Sequence, residues 1–337
     1  MNRDFTVFGN LTLSDQSANA YRKRALSLCR RVLAENPHIH AHDYRAVVGW
    51  LIALRPTVSI NTFQQYKSAL VYWLWHENAA DAVAREAAAF LIRQSSIGAK
   101  KKGEKTSALK QKFINSKQLE KILRELDAQN GVWAARTTLF LLSGILCGLR
   151  IVEWETARLV QEDGKWLLRV QNGKASNGRS NGMVRHIDLS QAGAENLATV
   201  QAHLANIADF LAQGRDFKVY YQQCARILLA INQRSRAKKH ITLSSCRHQF
   251  AANSKAARLH YRDVSALMGH CCTRTAQQRY GKTRFGWSGA NCVAALPNEV
   301  QTVRHNMRGF VGNQPQNAPS APVPSDVVKL PLPDWNP

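Results

Sequence analysis

Acidic residues are what this chain has least of: 23 Asp plus Glu stand against 46 Lys plus Arg in 337 residues, a formal net charge of +23. That imbalance points to a polyanionic partner, nucleic acid first and an anionic membrane surface second. Long apolar runs are missing too, and Met1 leads into Asn2-Arg3-Asp4-Phe5 rather than a basic stretch and an apolar one. Neither a membrane span nor a secretory signal is expected, so the reading is a soluble, cytoplasmic protein. Cys29, Cys147, Cys224, Cys246, Cys271, Cys272 and Cys292 are odd in number and never spaced as CxxC, which argues against a zinc ribbon and a disulfide framework. The neighbours Cys271 and Cys272 are badly placed for an unstrained bridge. Proline is sparse until the end, where residues 313–337 hold seven of the ten, with no helical or strand period, and read as an extended or disordered tail.

A hydrophobic fraction of 45% is enough to bury a core, and the length favours two domains. Between Ser17 and Asn36, Ala25, Leu26, Cys29, Val32 and Leu33 recur at helical spacing, with Arg22, Lys23, Arg24, Arg30 and Arg31 on the remaining surface as candidate DNA contacts. A second helix is predicted after the capping pair Asn61-Thr62, carrying Phe63, Tyr66, Leu70, Trp73 and Leu74 as a core stripe. An Ala-rich helix follows, through Ala79 to Arg93. Ser95 to Lys112 then reads as a linker in which Lys100, Lys101, Lys102, Lys105, Lys110 and Lys112 stand against the single acid Glu104, either a solvated connector or one that tracks a phosphate backbone. Helical periodicity returns at Asn115 and continues through a buried helix over 138–149. Trp166 to Val170 and Val184 to Leu189 read as the strands of a hairpin with a long Gly, Asn and Ser tip. Helices are expected at 197–213, 220–230, 245–258 and 264–268, and a last amphipathic one around 298–308.

Three distant segments place basic or nucleophilic groups in contexts that would be odd as decoration. Gly148-Leu149-Arg150-Ile151-Val152-Glu153 ends an apolar helix on an arginine that needs an anionic partner if it is buried. Ser244-Ser245-Cys246-Arg247-His248-Gln249-Phe250-Ala251 sets Arg247 beside a helix start, and Leu267-Met268-Gly269-His270 precedes Arg279-Tyr280-Gly281. Together these resemble the tyrosine recombinase (phage integrase) family. Its G-L-R-x-x-E box is matched by Gly148, Leu149, Arg150 and Glu153. Its H-x-x-R-H-x-F-A box is matched by Arg247, His248, Phe250 and Ala251, with Ser244 where the histidine belongs. Met268-Gly269-His270 stands for L-G-H, Tyr280 for the nucleophile, and Gly173-Lys174 for the hairpin-tip lysine. The match is strong from about Asn115 to Trp287 and weaker over the helical amino-terminal region.

The resemblance implies a mainly α protein: a helical core-binding domain (residues 1–94), a basic linker (95–112), and an α-rich catalytic domain with a small antiparallel sheet (113–290), the fold of DNA breaking-rejoining enzymes. It also implies a segment (291–312) that docks on a neighbouring protomer, a tetramer on paired recombination sites in double-stranded DNA, accessory DNA-bending proteins, and a prokaryotic, nucleoid-associated setting. No cofactor and no metal are implied. The physical reading agrees with these roles. Two guanidinium forks, Arg150 and Arg247, can neutralise a phosphodiester under attack in a geometry that ammonium groups cannot copy. A phenol is a poor nucleophile at neutral pH, so Tyr280 needs cations and an in-line pose. Lys174 is the family-matched general acid for the departing 5′ oxygen, although Lys165 and Arg179 also lie near the hairpin. His270 would bond the phosphate or assist proton transfer, and Glu153 would orient the cations. A hydroxyl at Ser244 donates one hydrogen bond but cannot do a histidine's acid-base work near neutral pH. Two other readings stay open: a type IB topoisomerase with the same tyrosine chemistry, and a non-catalytic DNA-binding regulator that retains the fold.

Overall fold

The computed structural model describes residues 15–40, 42–100, 109–173, 175, 180–236, 238–287, 289–290 and 292–305. Lys101, Lys102, Lys105, Lys174 and Arg179, and the proline-rich tail, lie outside the described residues. The chain divides into two compact units, residues 1–105 and 106–337.

The first unit is helical: α1 (Asp15–Glu35), α2 (Tyr44–Leu54), α3 (Ile60–Tyr72) and α4 (Ala82–Arg93), with a π-helical turn at Trp73–Glu77. Helix α1 buries Ala25, Leu28, Cys29 and Val32 against Val47, Leu51, Phe63, Leu70 and Leu91 from the other three helices and Leu74 from the π-helical turn, and leaves Leu26, expected in the stripe, exposed. The cap of α3 is Ser59, whose hydroxyl accepts from the Thr62 amide, rather than Asn61 or Thr62. Ser59 wins because it alone precedes the turn in extended backbone. The stretch expected to be linker is structured at both ends: Ala99 is buried in the first core, and in the second unit the Gln111 amide donates to the His240 carbonyl (2.8 Å) while the His240 amide donates to that of Leu109 (2.6 Å).

The second unit holds α5 (Ser116–Asp127), α6 (Val132–Cys147), a four-stranded antiparallel sheet, and α7 (Ala194–Ala212) to α12 (Pro297–Thr302). The sheet runs in the order β1 (Arg158–Glu162), β2 (Lys165–Gln171), β3 (Val184–Asp188), β4 (Ala294–Ala295). The hairpin read from sequence is β2–β3, in register Leu168 with Ile187 and Val170 with Arg185. Strands β1 and β4 escaped that reading for a physical reason: β1 is an edge strand with no buried residue, and β4 has two residues. Between them lie α8 (Phe217–Arg234), α9 (Leu243–Ala256), α10 (Tyr261–Leu267) and α11 (Thr273–Arg279). Helix α9 is buried along most of its length and packs on α6, so it threads the core with Cys246, Phe250 and Ala251 while carrying Arg247 inside. The mainly α architecture with a small antiparallel sheet is the expected fold class.

Of residues 291–312, expected to dock on a neighbour, the described stretch 292–305 makes contacts within its own unit. Ala295 pairs with Ile187, Glu299 accepts from the His186 amide and faces its Nδ1 at 2.8 Å, and Arg304 bonds the backbone of Cys271 and Thr273. Helix α12 ends at Thr302, short of the expected 308.

Candidate active site

The apolar sequence of α6 buries that helix and stops it at Gly148, whose φ of +66° is the left-handed conformation favoured by glycine. A Cβ there would stand 2.2 Å from the Phe250 ring, so the first box and the second are packed directly against each other. The chain then leaves α6 in extended backbone at Arg150 and tightens into a 3₁₀ turn over Ile151–Glu155. That turn brings the Glu153 carboxylate back to the Arg150 amide (2.8 Å) and guanidinium.

Glu153 is the centre of the charge arrangement. It is 1% exposed and takes Arg150 on one oxygen and Arg185 of β3 on the other (2.8 Å), with Arg247 NH1 at 3.7 Å. Gly173, at the base of the β2–β3 tip, also donates its amide to Glu153 (3.2 Å). Burial alone would raise this carboxyl, but the guanidinium groups of Arg185, Arg247 and Arg150 outweigh it and hold Glu153 well below the usual carboxylate range. Three cations therefore share one permanently ionised partner, leaving surplus positive charge in a desolvated place. That is the electrostatics of an anion site.

Arg247 joins the separate boxes. Its NH1 donates to the Gly148 carbonyl (2.6 Å), its NH2 to the Met268 carbonyl (2.6 Å) and to His270 Nε2 (3.2 Å), and its Nε to the Tyr280 hydroxyl (3.3 Å). Burial, and then the charge of Arg150, lower this guanidinium to about 10, so it remains a cation at neutral pH. Because arginine can only donate, His270 accepts through Nε2 and carries its proton on Nδ1. Nδ1 is buried and has no partner among the described residues. Burial, with Arg247 and Arg150 beside it, drops His270 to about 2 and keeps it neutral.

Tyr280 caps α11 in extended backbone. Its ring packs against two imidazoles, with centroids 5.0 Å from His248 and 5.2 Å from His270, and the Arg247 guanidinium is 5.1 Å from its centre. The structure thus brings Arg150, Glu153, Arg247, His270 and Tyr280 together. Ser244 is exposed on the first turn of α9, one turn before Arg247. Lys165 pairs with Asp188 at 3.7 Å at the opposite end of β2 from the tip. Of the candidate DNA contacts in the first unit, Arg22 is held by Glu77 (2.6 Å) and Arg31 by Glu35 (2.7 Å), while Lys23 and Arg30 are exposed and Arg24 is half-buried. Lys100 bridges to Ser59.

Sequence reasoning missed Arg185 and Lys255, and placed His248 in the second box without giving it a role. Arg185 had a legible signal: two residues before Ile187 it shares the inward face of β3, and both are fully buried. Its Nε donates to the Leu267 carbonyl (2.8 Å) and its NH1 to Asn172. Among the described residues, no cluster of three or more His, Cys, Asp or Glu side chains could hold a metal ion, and no helix is long and apolar enough to cross a membrane.

No family model and no curated protein matches this chain. Solved structures do. A lambda integrase (75-356) dimer bound to a COC′ core site superposes with a TM-score of 0.51 at 12% identity, covering 84% of this chain and 94% of that one. A second lambda integrase dimer on a COC′ core site gives 0.50 at 14% identity, covering 82% of this chain and 74% of that one. XerH site-specific recombinase bound to palindromic difH gives 0.49 at 16% identity, covering 77% of this chain and 74% of that one. The chain has the tyrosine recombinase fold.

Proposed function

We propose that this protein is a site-specific DNA recombinase that cleaves and rejoins duplex DNA through a 3′-phosphotyrosyl intermediate, serving integration, excision or resolution of a mobile element. The observation that carries the reading is the single guanidinium of Arg247, which bonds the Gly148 carbonyl, the Met268 carbonyl, His270 and the Tyr280 hydroxyl at once. The residues concerned come from three parts of the chain, and a structural role for Arg247 would need only the two carbonyls.

In this mechanism a scissile phosphate enters beside Arg150, whose fork is only partly used by Glu153. The phosphate takes over the Arg247 donors now spent on Tyr280 and His270. Tyr280 Oη attacks phosphorus as its proton passes to solvent water, the bond to the 5′ oxygen breaks, and that oxygen takes up a proton, with Lys174 as donor. Arg150 and Arg247 neutralise the two non-bridging oxygens as charge builds there. The new P–O bond to tyrosine replaces the broken one, so a 5′ hydroxyl from another strand can reverse the step without a cofactor. Glu153 keeps the forks aimed and cannot itself donate a proton, since three guanidinium groups hold it ionised. Double-stranded DNA, bound as a tetramer on paired sites with accessory bending proteins, is the partner that fits the charge of +23.

The test is a two-site recombination assay run beside plasmid relaxation. Exchange between two sites with little relaxation supports the recombinase. Relaxation by a monomer with no exchange supports a topoisomerase, and binding without either activity supports a regulator.

A further inference from the structure

Lys255 lies on α9 eight residues after Arg247, about two turns further along the helix that carries that guanidinium. It is 9% exposed. Its ammonium donates to the carbonyl oxygens of Ala276 (2.7 Å) and Gly281 (2.8 Å), and at 3.5 Å to that of Tyr280. Those acceptors are the end of α11 and the two residues that follow it, so the three N–H bonds of the ammonium are spent on the backbone around one side chain, Tyr280. Among the described residues no carboxylate pairs with Lys255, and burial pushes it down to about 8. An unpaired buried ammonium is costly unless its donors are all needed.

The same segment is pressed onto α9 along its length. A Cβ on Gly281 would stand 2.2 Å from the His248 carbonyl oxygen and 2.9 Å from Ala252 Cβ, so no larger residue fits the approach. Gln249 donates to the Phe285 carbonyl (2.8 Å) and Asn253 accepts from the Trp287 amide (2.9 Å). Phenol and guanidinium are therefore referred to one helix.

We infer that Lys255 is a positioning residue for the nucleophile: its ammonium, seated on the carbonyls of residues 276, 280 and 281, fixes the backbone of Tyr280 to the helix that carries Arg247. The inference rests on the phosphotyrosyl reading above and deepens it. Lys255 touches no substrate atom. It keeps the attacking oxygen beside the Arg247 guanidinium of the same helix.

The experiment compares wild type with Lys255→Met, which keeps the volume but removes the donors, and Lys255→Gln, which keeps part of them. The probe is a nicked duplex recovered from a random-sequence library by covalent capture on the wild-type protein, with and without a 5′-bridging phosphorothiolate, whose leaving group needs no proton. A misplaced nucleophile slows cleavage at saturating DNA by about 10- to 100-fold for Lys255→Met, with Lys255→Gln between it and wild type. The half-saturating DNA concentration stays unchanged and the phosphorothiolate gives no rescue. Amide hydrogen exchange over residues 276–286 of the free protein rises at the same time. Wild-type cleavage in either folded variant, rescue by the phosphorothiolate, or unchanged exchange overturns the inference alone. Absence of any adduct with wild-type protein overturns the recombinase reading, and the inference with it.

Discussion

Arg247 Nε stands 3.3 Å from the Tyr280 hydroxyl, and its guanidinium carbon lies 5.1 Å from the centre of that ring. The two residues are 33 positions apart and on different elements, α9 and the cap of α11. A cation bonded to the phenol oxygen favours the phenolate as it forms, and in the proposed mechanism the same cation receives the phosphate. On the proposed mechanism, substrate would displace the bond between the two side chains.

Arg247→Lys keeps the charge and removes the fork. An ammonium cannot reach the Gly148 and Met268 carbonyls, His270 and Tyr280 together. Cleavage of a nicked duplex is expected to fall by about 10²–10³-fold, the usual cost of one lost donor on developing charge, with DNA affinity nearly kept. Gel-shift titration beside single-turnover cleavage checks this, and equal losses in both would mean that Arg247 serves binding.

Gly148→Ala is expected to destabilise the second unit by about 2–3 kcal/mol, from a strained left-handed backbone and a Cβ driven into the Phe250 ring. Chemical denaturation measures it. A neutral result would mean that α6 and α9 are not packed as described.

Much of this arrangement was legible in the sequence. The helices of both units follow their apolar stripes, and the boxes around Arg150, Arg247, His270 and Tyr280 stood out because they occur together, in the order and at the separations of the motifs they resemble. What escaped has a common cause. Arg185 and Lys255 act on backbone carbonyls and a distant carboxylate, and such partners leave no mark at a fixed spacing. Helix α11 buries only Thr273 and Ala276, so no hydrophobic period announces it, and β4 is visible only through its pairing with β3.

Glu153→Gln leaves Arg150 and Arg185 facing a neutral amide inside the protein. A loss of about 3–5 kcal/mol is expected, since removing one member of a buried charge group strands the others. Thermal unfolding at low and high salt checks it: a buried origin predicts that added salt recovers little of the loss.

Stability should fall with acid well before the carboxylates titrate. Burial lowers His203 to about 3 and His248 to about 4, and His270 lies lower still. Each is neutral when folded but takes up a proton in the unfolded chain below its ordinary value of about 6.5. The unfolded state therefore binds more protons from about pH 6.5 down to the folded values, and stability drops as pH falls through that window, by about 1.4 kcal/mol per pH unit per histidine. Denaturation midpoints between pH 7.5 and 5 read the slope. His203→Phe, among Phe140, Trp154 and Tyr220, should make it shallower.

The central claim is that Tyr280 forms a bond to DNA. The direct measurement is peptide mapping of the covalent complex formed on the captured nicked duplexes, by mass spectrometry after nuclease and protease digestion. The account predicts a nucleotide on Tyr280, joined through a 3′ phosphate, and no complex with Tyr280→Phe. A nucleotide on another residue, or a complex that survives Tyr280→Phe, would contradict it.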